Sequence, residues 1–116
     1  GYSRKYNMSK KIYCIAEFAP AAGHEQELFE QLMSLEPLTL RENGCLRYRV
    51  TRQIAHPQAP TQSKFSIMFN EEWASIEDFD AHCAQSYISE FFNKYVQDPA
   101  TSITADCSVR IFSDEI

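Results

Sequence analysis

The sequence predicts one α+β domain with a ferredoxin-like β-α-β-β-α-β order and a four-stranded antiparallel sheet. Four segments alternate apolar and polar residues with the period of a strand, and two others gather apolar residues on one side of a helix. The 116 residues suffice for one hydrophobic core. This order of elements is typical of a single sheet with both helices on the same face. We therefore expect one domain, residues 10–116.

The first strand and the first helix are predicted before residue 37. Strand one shows an apolar face at every second position, formed by Ile12, Cys14, Ala16 and Phe18. After a break at Pro20 and Gly23, residues 24–36 place one apolar stripe on a helix, formed by Leu28, Phe29, Leu32, Met33 and Leu35. Pro37 is expected to end or bend this helix.

Strands two and three are predicted as a hairpin. The pair Asn43 and Gly44 indicates a turn, and Leu46, Tyr48 and Val50 then alternate with polar residues. Residues 55–63 contain two prolines and are expected to be a flexible connection. Strand three resumes the alternation at Phe65, Ile67, Phe69 and Trp73.

The second helix and the last strand complete the order. Ser75 with Asp78 resembles a capping box and predicts a helix start. We expect a break or bend near Ser86 and an end before Pro99. Strand four follows with an apolar face at Ala105, Cys107, Val109 and Ile111.

Composition excludes several classes of function. The net charge of −5 disfavours nucleic acid binding, and three glycines leave no phosphate-binding GxGxxG loop. No apolar run of the roughly 20 residues that span a membrane occurs, so we expect a cytoplasmic protein. The four cysteines and three histidines are scattered, which predicts reduced thiols and no metal site. Residues 1–9 are expected to be a cloning remnant or a disordered tail.

Three titratable residues are candidates for a functional site: Glu71, Tyr48 and His82. Glu71 interrupts the apolar row of strand three, so it needs a partner, access to water or a proton; a bond to Arg52 or simple solvation would also satisfy it. Register places Tyr48 opposite Phe69 or Glu71, where it is either part of a site or a core tyrosine with a bonded hydroxyl. His82 lies at the margin of the helix stripe, where it is either solvated or a base oriented by Glu71.

Three motifs in order resemble the antibiotic biosynthesis monooxygenase family of small dimeric α+β-barrel proteins. They are Glu42-x-Gly44-Cys45-Leu46-x-Tyr48, Glu71-x-Trp73-x-Ser75, and His82 followed by Ser86-Tyr87. The resemblance implies a homodimer with a pocket in each subunit. It also implies that quinols or anthrone-like phenols are oxidised by O2 without flavin, haem or metal. By position, His82, Glu71 and Trp73 match the family's pocket residues, whereas Tyr87 stands where many members have a second histidine.

The haem-degrading branch of the same superfamily is disfavoured by this comparison. Its members have an Asn on strand one and a Trp on the second helix, and this chain has His82 at the latter position.

The first functional hypothesis is a cofactor-independent monooxygenase in which His82, oriented by Glu71, deprotonates a small phenolic substrate. We expect the cavity to be formed by Phe18, Phe69, Trp73, Phe91 and Phe92, with Tyr48 or Tyr87 donating to the developing oxyanion. The alternative is non-oxidative processing, or merely binding, of a small carbonyl signalling metabolite. A phosphorylated substrate would then need a cationic anchor, for which Arg52 is the inward candidate.

The uncovered face of the sheet is expected to pair with a second copy. Tyr13, Ile15, Met68 and Phe112 lie on that face and are too apolar to remain fully solvated.

Overall fold

A single antiparallel sheet forms the scaffold. The computed structural model describes residues 10–114, so the expectation for residues 1–9 lies outside the described residues. Its strands are β1 (Ile12–Pro20), β2 (Cys45–Arg52), β3 (Ile67–Trp73) and β4 (Thr104–Ser113). They are ordered β2-β3-β1-β4, and each neighbouring pair is antiparallel. The predicted ferredoxin-like architecture is confirmed.

The helical segments are shorter and more broken than the sequence pattern suggests. They are α1 (Glu25–Met33), α2 (Glu36–Thr39), α3 (Ile76–Cys83) and α4 (Ser86–Phe92), followed by a π-helical turn (Asn93–Gln97). The predicted first helix ends at Met33, before Pro37, which lies in the first turn of α2. A proline is tolerated there because its missing N–H has no helical partner in any case. The predicted break near Ser86 is confirmed.

The core lies between one face of the sheet and the helices. Alternate residues of β1 and β3 are buried on that face: Ile12, Cys14, Ala16, Phe18, Ile67, Phe69 and Trp73. The helices contribute Leu28, Leu32, Ile88 and Phe91 to the same cluster. Burial of these side chains is the main source of stability and fixes the register of the sheet.

Register brings two polar residues together inside this core. Tyr48 of β2 is paired with Glu71 of β3, as the parity of the two strands predicts. A bulge lies between Cys45 and Arg47, and it explains why Leu46 is exposed instead of sharing the face of Tyr48.

The helix-side residues of β4 differ from expectation. Val109 and Ile111 are 51% and 45% exposed, because β4 is an edge strand where the helices cover the sheet least. In the described part of the chain no helix has the length and apolar character needed to cross a membrane.

Candidate active site

A cavity of about 140 Å³ lies between the sheet and the helices. Glu71 and His82 both line it, among mostly apolar side chains. Four of the predicted pocket residues are also in its wall: Tyr48, Phe18, Phe69 and Phe92. An acid and an imidazole therefore face the same apolar space.

Glu71 is placed in the cavity by the alternation of β3. Its side chain points to the same face as Trp73, and the indole Nε1 donates a hydrogen bond of 2.9 Å to its Oε1. Burial raises the pKa of Glu71 to about 7, although hydrogen bonds from Trp73 and Cys14 act in the opposite direction. The carboxyl group therefore exchanges its proton near neutral pH.

His82 lies on α3, two turns after the Ser75 cap, whose side chain accepts from the backbone N–H of Asp78. The imidazole is only 5% exposed, and its Nδ1 lies 3.1 Å from both carboxylate oxygens of Glu42. Burial lowers the pKa of His82 below its usual 6.5, in spite of Glu42. The ring is therefore neutral at pH 7. If Nδ1–H donates to Glu42, Nε2 has the free lone pair that a general base needs.

Glu42 is held by a chain of hydroxyl groups. The Tyr87 hydroxyl donates to Oε2 of Glu42 and lies 2.8 Å from Oγ1 of Thr39, which is fully buried. A phenol has a single proton, so the Thr39 hydroxyl donates to Tyr87. Burial and the neighbouring Glu42 raise the pKa of Tyr87 to about 12, which keeps it a donor. Groups from α2 and α4 thus fix the carboxylate that orients His82.

The expectation that Glu71 orients His82 is corrected by this geometry. Glu71 is engaged by Trp73, and the ring nitrogen of His82 is held by Glu42 from the turn before β2. The rings of Trp73 and His82 are close, with centroids 4.6 Å apart. Glu71 remains in the site, but as a second titratable group facing the cavity.

Three of the predicted wall residues lie behind the cavity. Trp73 is fully buried beside His82, Phe91 packs in the core, and Tyr87 is taken up by its bond to Glu42. Trp73 and Phe91 pack behind residues of the wall, and Tyr87 holds the Glu42 carboxylate that contacts His82.

The prediction that Arg52 points into the cavity is also wrong. Its guanidinium lies 3.9 Å above the ring of Phe29 and donates to the side chain of Gln26. A long side chain can leave an inward position and reach solvent. Arg52 therefore does not bond to Glu71, and in the part of the chain that the structure describes no lysine or arginine lines the cavity that Glu71 and His82 share.

Tyr48 and Cys14 complete the polar part of the wall. Burial and the nearby Glu71 raise the pKa of both side chains, which keeps the phenol and the thiol protonated. The Tyr48 ring packs against Phe69 with centroids 4.3 Å apart. Within residues 10–114, no group of three or more His, Cys, Asp or Glu side chains is placed to hold a metal ion.

The turn that contains Glu42 is tied to α3. Nδ2 of Asn43 donates to Oδ1 of Asp78 at 2.9 Å, and Oγ of Ser75 binds the other carboxylate oxygen at 2.8 Å. These bonds hold the turn beside the helix one turn before His82. They explain how a residue outside any regular element reaches the imidazole.

Gly44 is expected to be essential to this contact. It has φ +75°, and a Cβ built there would lie 2.0 Å from Asp78 Oδ2. Gly44→Ala should therefore lower the free energy of unfolding by about 2 kcal/mol or more, since backbone strain is added to disruption of the helix cap. Gly23 is the control: its φ is +81° but the space around it is open. Gly23→Ala should lower the free energy of unfolding, measured by urea denaturation, by only about 1 kcal/mol. Equal losses in the two variants would contradict the clash with Asp78.

The fold and the site define a ferredoxin-like domain with a carboxylate-held histidine in an apolar cavity. The model of the family described as antibiotic biosynthesis monooxygenase matches residues 11–94. The chain belongs to that family.

Solved structures share this fold. A Shewanella oneidensis protein is 27% identical, with 90% of this chain and 91% of that chain covered and a TM-score of 0.71. A Deinococcus radiodurans protein named for the same family is 17% identical, with 87% and 89% covered and a TM-score of 0.70. A Mesorhizobium loti protein described as having a ferredoxin-like fold is 15% identical, with 89% and 95% covered and a TM-score of 0.65. No curated protein sequence matches the chain significantly.

Proposed function

We propose that this protein is a monooxygenase that oxidises a small phenol or hydroquinone with O2, using the substrate itself as the reductant. The observation that supports the proposal most is the neutral His82, held through Nδ1 by Glu42 and facing the same apolar cavity as Glu71. Membership of the monooxygenase family supports the same class of reaction.

The first step is removal of a proton from the substrate hydroxyl by Nε2 of His82. Glu42 accepts a hydrogen bond from Nδ1–H and stabilises the imidazolium that forms. The resulting phenolate is electron-rich and transfers an electron to O2, and the superoxide formed couples to the ring carbon beside the phenoxyl oxygen to give a peroxide. Loss of the proton from that carbon then breaks the O–O bond, which leaves a carbonyl on the ring and releases the outer oxygen. Tyr48, protonated and in the cavity wall, is the donor we assign to the oxyanion.

Glu71 is assigned the second proton transfer. Its pKa of about 7 makes the carboxyl able to give a proton to the oxygen atom that leaves as water and to recover one afterwards. For a hydroquinone the reaction is hydroquinone plus O2 giving hydroxyquinone plus water. Two electrons come from oxidation of the ring diol and two from the ring carbon that is hydroxylated.

The alternative function, processing of a small carbonyl metabolite, has less support. A phosphorylated substrate would need a cation in the cavity, and Arg52 lies outside it against Phe29. The groups that do face the cavity suit proton transfer from an uncharged ring.

We also propose that a second copy covers the open face of the sheet. Tyr13, Ile15 and Met68 are only partly buried there, and Phe112 is 47% exposed. The ion pairs Arg47–Glu72 and Arg110–Glu17 lie among them on that face. A large apolar patch on one face of a sheet is typical of an interaction site, and a second identical chain is the occupant that we propose.

Oxygen uptake tests the proposed reaction. With a panel of hydroquinones and no added cofactor, the protein should consume one O2 for each substrate, faster than autoxidation in buffer. Under ¹⁸O2 the quinone product should gain one labelled oxygen. Formation of hydrogen peroxide with an unlabelled quinone would show an oxidase instead, and uptake at the rate of autoxidation would refute the proposal.

A further inference from the structure

We propose that the cavity selects a single, uncharged phenolic ring, and that Phe92 sets the limit on its size. This inference rests on the proposed function in taking the bound ring to be the substrate. It separates one-ring phenols and hydroquinones from the fused-ring and carboxylated compounds that the same chemistry could oxidise.

The size of the cavity supports one ring. Its volume is about 140 Å³, and a dry protein cavity of about 150 Å³ is known to hold a molecule of benzene. The volume is bounded by rigid aromatic side chains: Phe18 lies against Phe92, with centroids 6.0 Å apart, and against Phe69 at 6.4 Å. A second fused ring would have to displace one of these groups.

The cavity opens to solvent between α3 and β4. Cys83 and Val109 line the cavity and are exposed, so they mark the side that meets solvent. A small substituent para to the hydroxyl can extend along the ring axis towards this opening. A fused ring instead widens the molecule against Phe92.

The charges around the cavity exclude an anionic ring. Among residues 10–114, no lysine or arginine lines the cavity, while Glu71 is in the wall and Glu42 lies directly behind His82. A carboxylate on the ring would lose its hydration without gaining a cation, and it would lie near another carboxyl group. Both effects disfavour binding.

Phe92 and Phe91 provide a matched pair of variants. Both are on α4, but Phe92 lines the cavity whereas Phe91 is buried in the core and does not. Phe92→Ala therefore enlarges the cavity. Phe91→Ala also removes a phenyl ring, but from the core outside the cavity. Comparing the two separates cavity size from general loss of stability.

Binding of phenols measured in the absence of O2 gives the selectivity without turnover. Titrations followed by NMR should show phenol binding the wild type at least about tenfold more tightly than 2-naphthol, because the fused ring does not fit. 4-Hydroxyacetophenone should bind at least about tenfold more tightly than 4-hydroxybenzoate, which has nearly the same shape but a charge. Equal affinities for phenol and 2-naphthol would overturn the limit on size, and equal affinities for 4-hydroxyacetophenone and 4-hydroxybenzoate would overturn the exclusion of charge. If phenol binds but 4-hydroxyacetophenone does not, the opening is not where we place it.

The variants test the role of Phe92. Phe92→Ala should remove most of the preference for phenol over 2-naphthol, whereas Phe91→Ala should leave the ratio of the two affinities unchanged. If Phe92→Ala does not fold, Phe92→Leu should give a smaller shift in the same direction. An unchanged ratio in the Phe92 variant, or an equal shift in both, would overturn the assignment.

The binding experiments and the oxidation experiments can fail independently of each other. If the ligands are ranked as expected but no hydroquinone is oxidised faster than in buffer, the selectivity stands as that of a binding site and the oxidation is refuted. If O2 is consumed with fused-ring or carboxylated substrates as efficiently as with simple hydroquinones, the reaction stands and the selectivity is refuted.

Discussion

Replacement of His82 by alanine is expected to lower kcat/KM for a hydroquinone by about 10²-fold to 10⁴-fold, the usual contribution of a positioned general base. The imidazole is the neutral base that faces the cavity, and alanine leaves no group at that place to accept the substrate proton. Oxygen uptake under saturating and limiting substrate gives kcat and kcat/KM. Turnover of His82→Ala at the rate of the parent would refute the assignment.

Two further variants serve as controls for this loss. His24 is exposed, hydrogen-bonded to Glu27 and does not line the cavity, so His24→Ala should retain full activity. Glu42→Gln should lower kcat/KM by about 10-fold to 10³-fold. An amide can donate a hydrogen bond to Nδ1 and so select the tautomer with its proton on Nε2, which cannot act as the base. That loss should fall on kcat more than on KM, because Glu42 does not line the cavity.

Replacement of Glu71 by glutamine is expected to stabilise the protein at pH 8 by about 3 kcal/mol, which is the cost of a pKa raised from 4.5 to about 7. The amide oxygen can still accept from Trp73, so the hydrogen bond of the carboxyl is retained. The same variant should lose activity, because an amide does not exchange a proton. A gain in stability with a loss of activity is typical of a group maintained for chemistry.

The stabilisation should depend on pH in one direction. Below pH 4.5 the carboxyl is protonated in both folded and unfolded chains, and the parent and Glu71→Gln should be about equally stable. Between pH 4.5 and 7 the unfolded chain loses the proton and the folded chain keeps it, so the parent becomes less stable relative to the variant as pH rises. Above pH 7 the difference should be constant.

Urea denaturation at a series of pH values measures this difference. The control is Glu72→Gln, at the next position of β3 but on the open face, where the carboxylate pairs with Arg47 at 3.1 Å. A partly exposed pair contributes little, so this variant should change stability by less than about 1 kcal/mol at any pH. A Glu71→Gln variant that is no more stable than the parent at pH 8 would show that the carboxyl is not desolvated as described.

The fold was predictable because it depends on periodic patterns. Alternation in the strands placed Glu71 inward, and parity of β2 and β3 placed Tyr48 opposite it. The capping pattern at Ser75 set the phase of α3 and so the position of His82. Each of these patterns is local, and burial of the apolar face then fixes which side of the strand or helix points inward.

The partner of His82 was not predictable in the same way. Glu42 lies in a turn without periodicity, and its position depends on the break before Pro37 and on the bond from Asn43 to Asp78. The only sequence signal was its place in the family motif, which assigned it no contact. For Arg52 the sequence predicted a contact that does not form. Its position in β2 points inward, but the side chain is long enough to leave the core.

The most direct test of the account is the protonation of His82 seen by ¹⁵N NMR of the three histidines. At pH 7 we expect a neutral ring with its proton on Nδ1, and a change in the Nε2 signal when phenol is added. His24 and His56, both exposed, should not respond to phenol. A proton on Nε2, or an Nε2 signal unaffected by bound phenol, would contradict the claim that Glu42 prepares His82 as the base of this cavity.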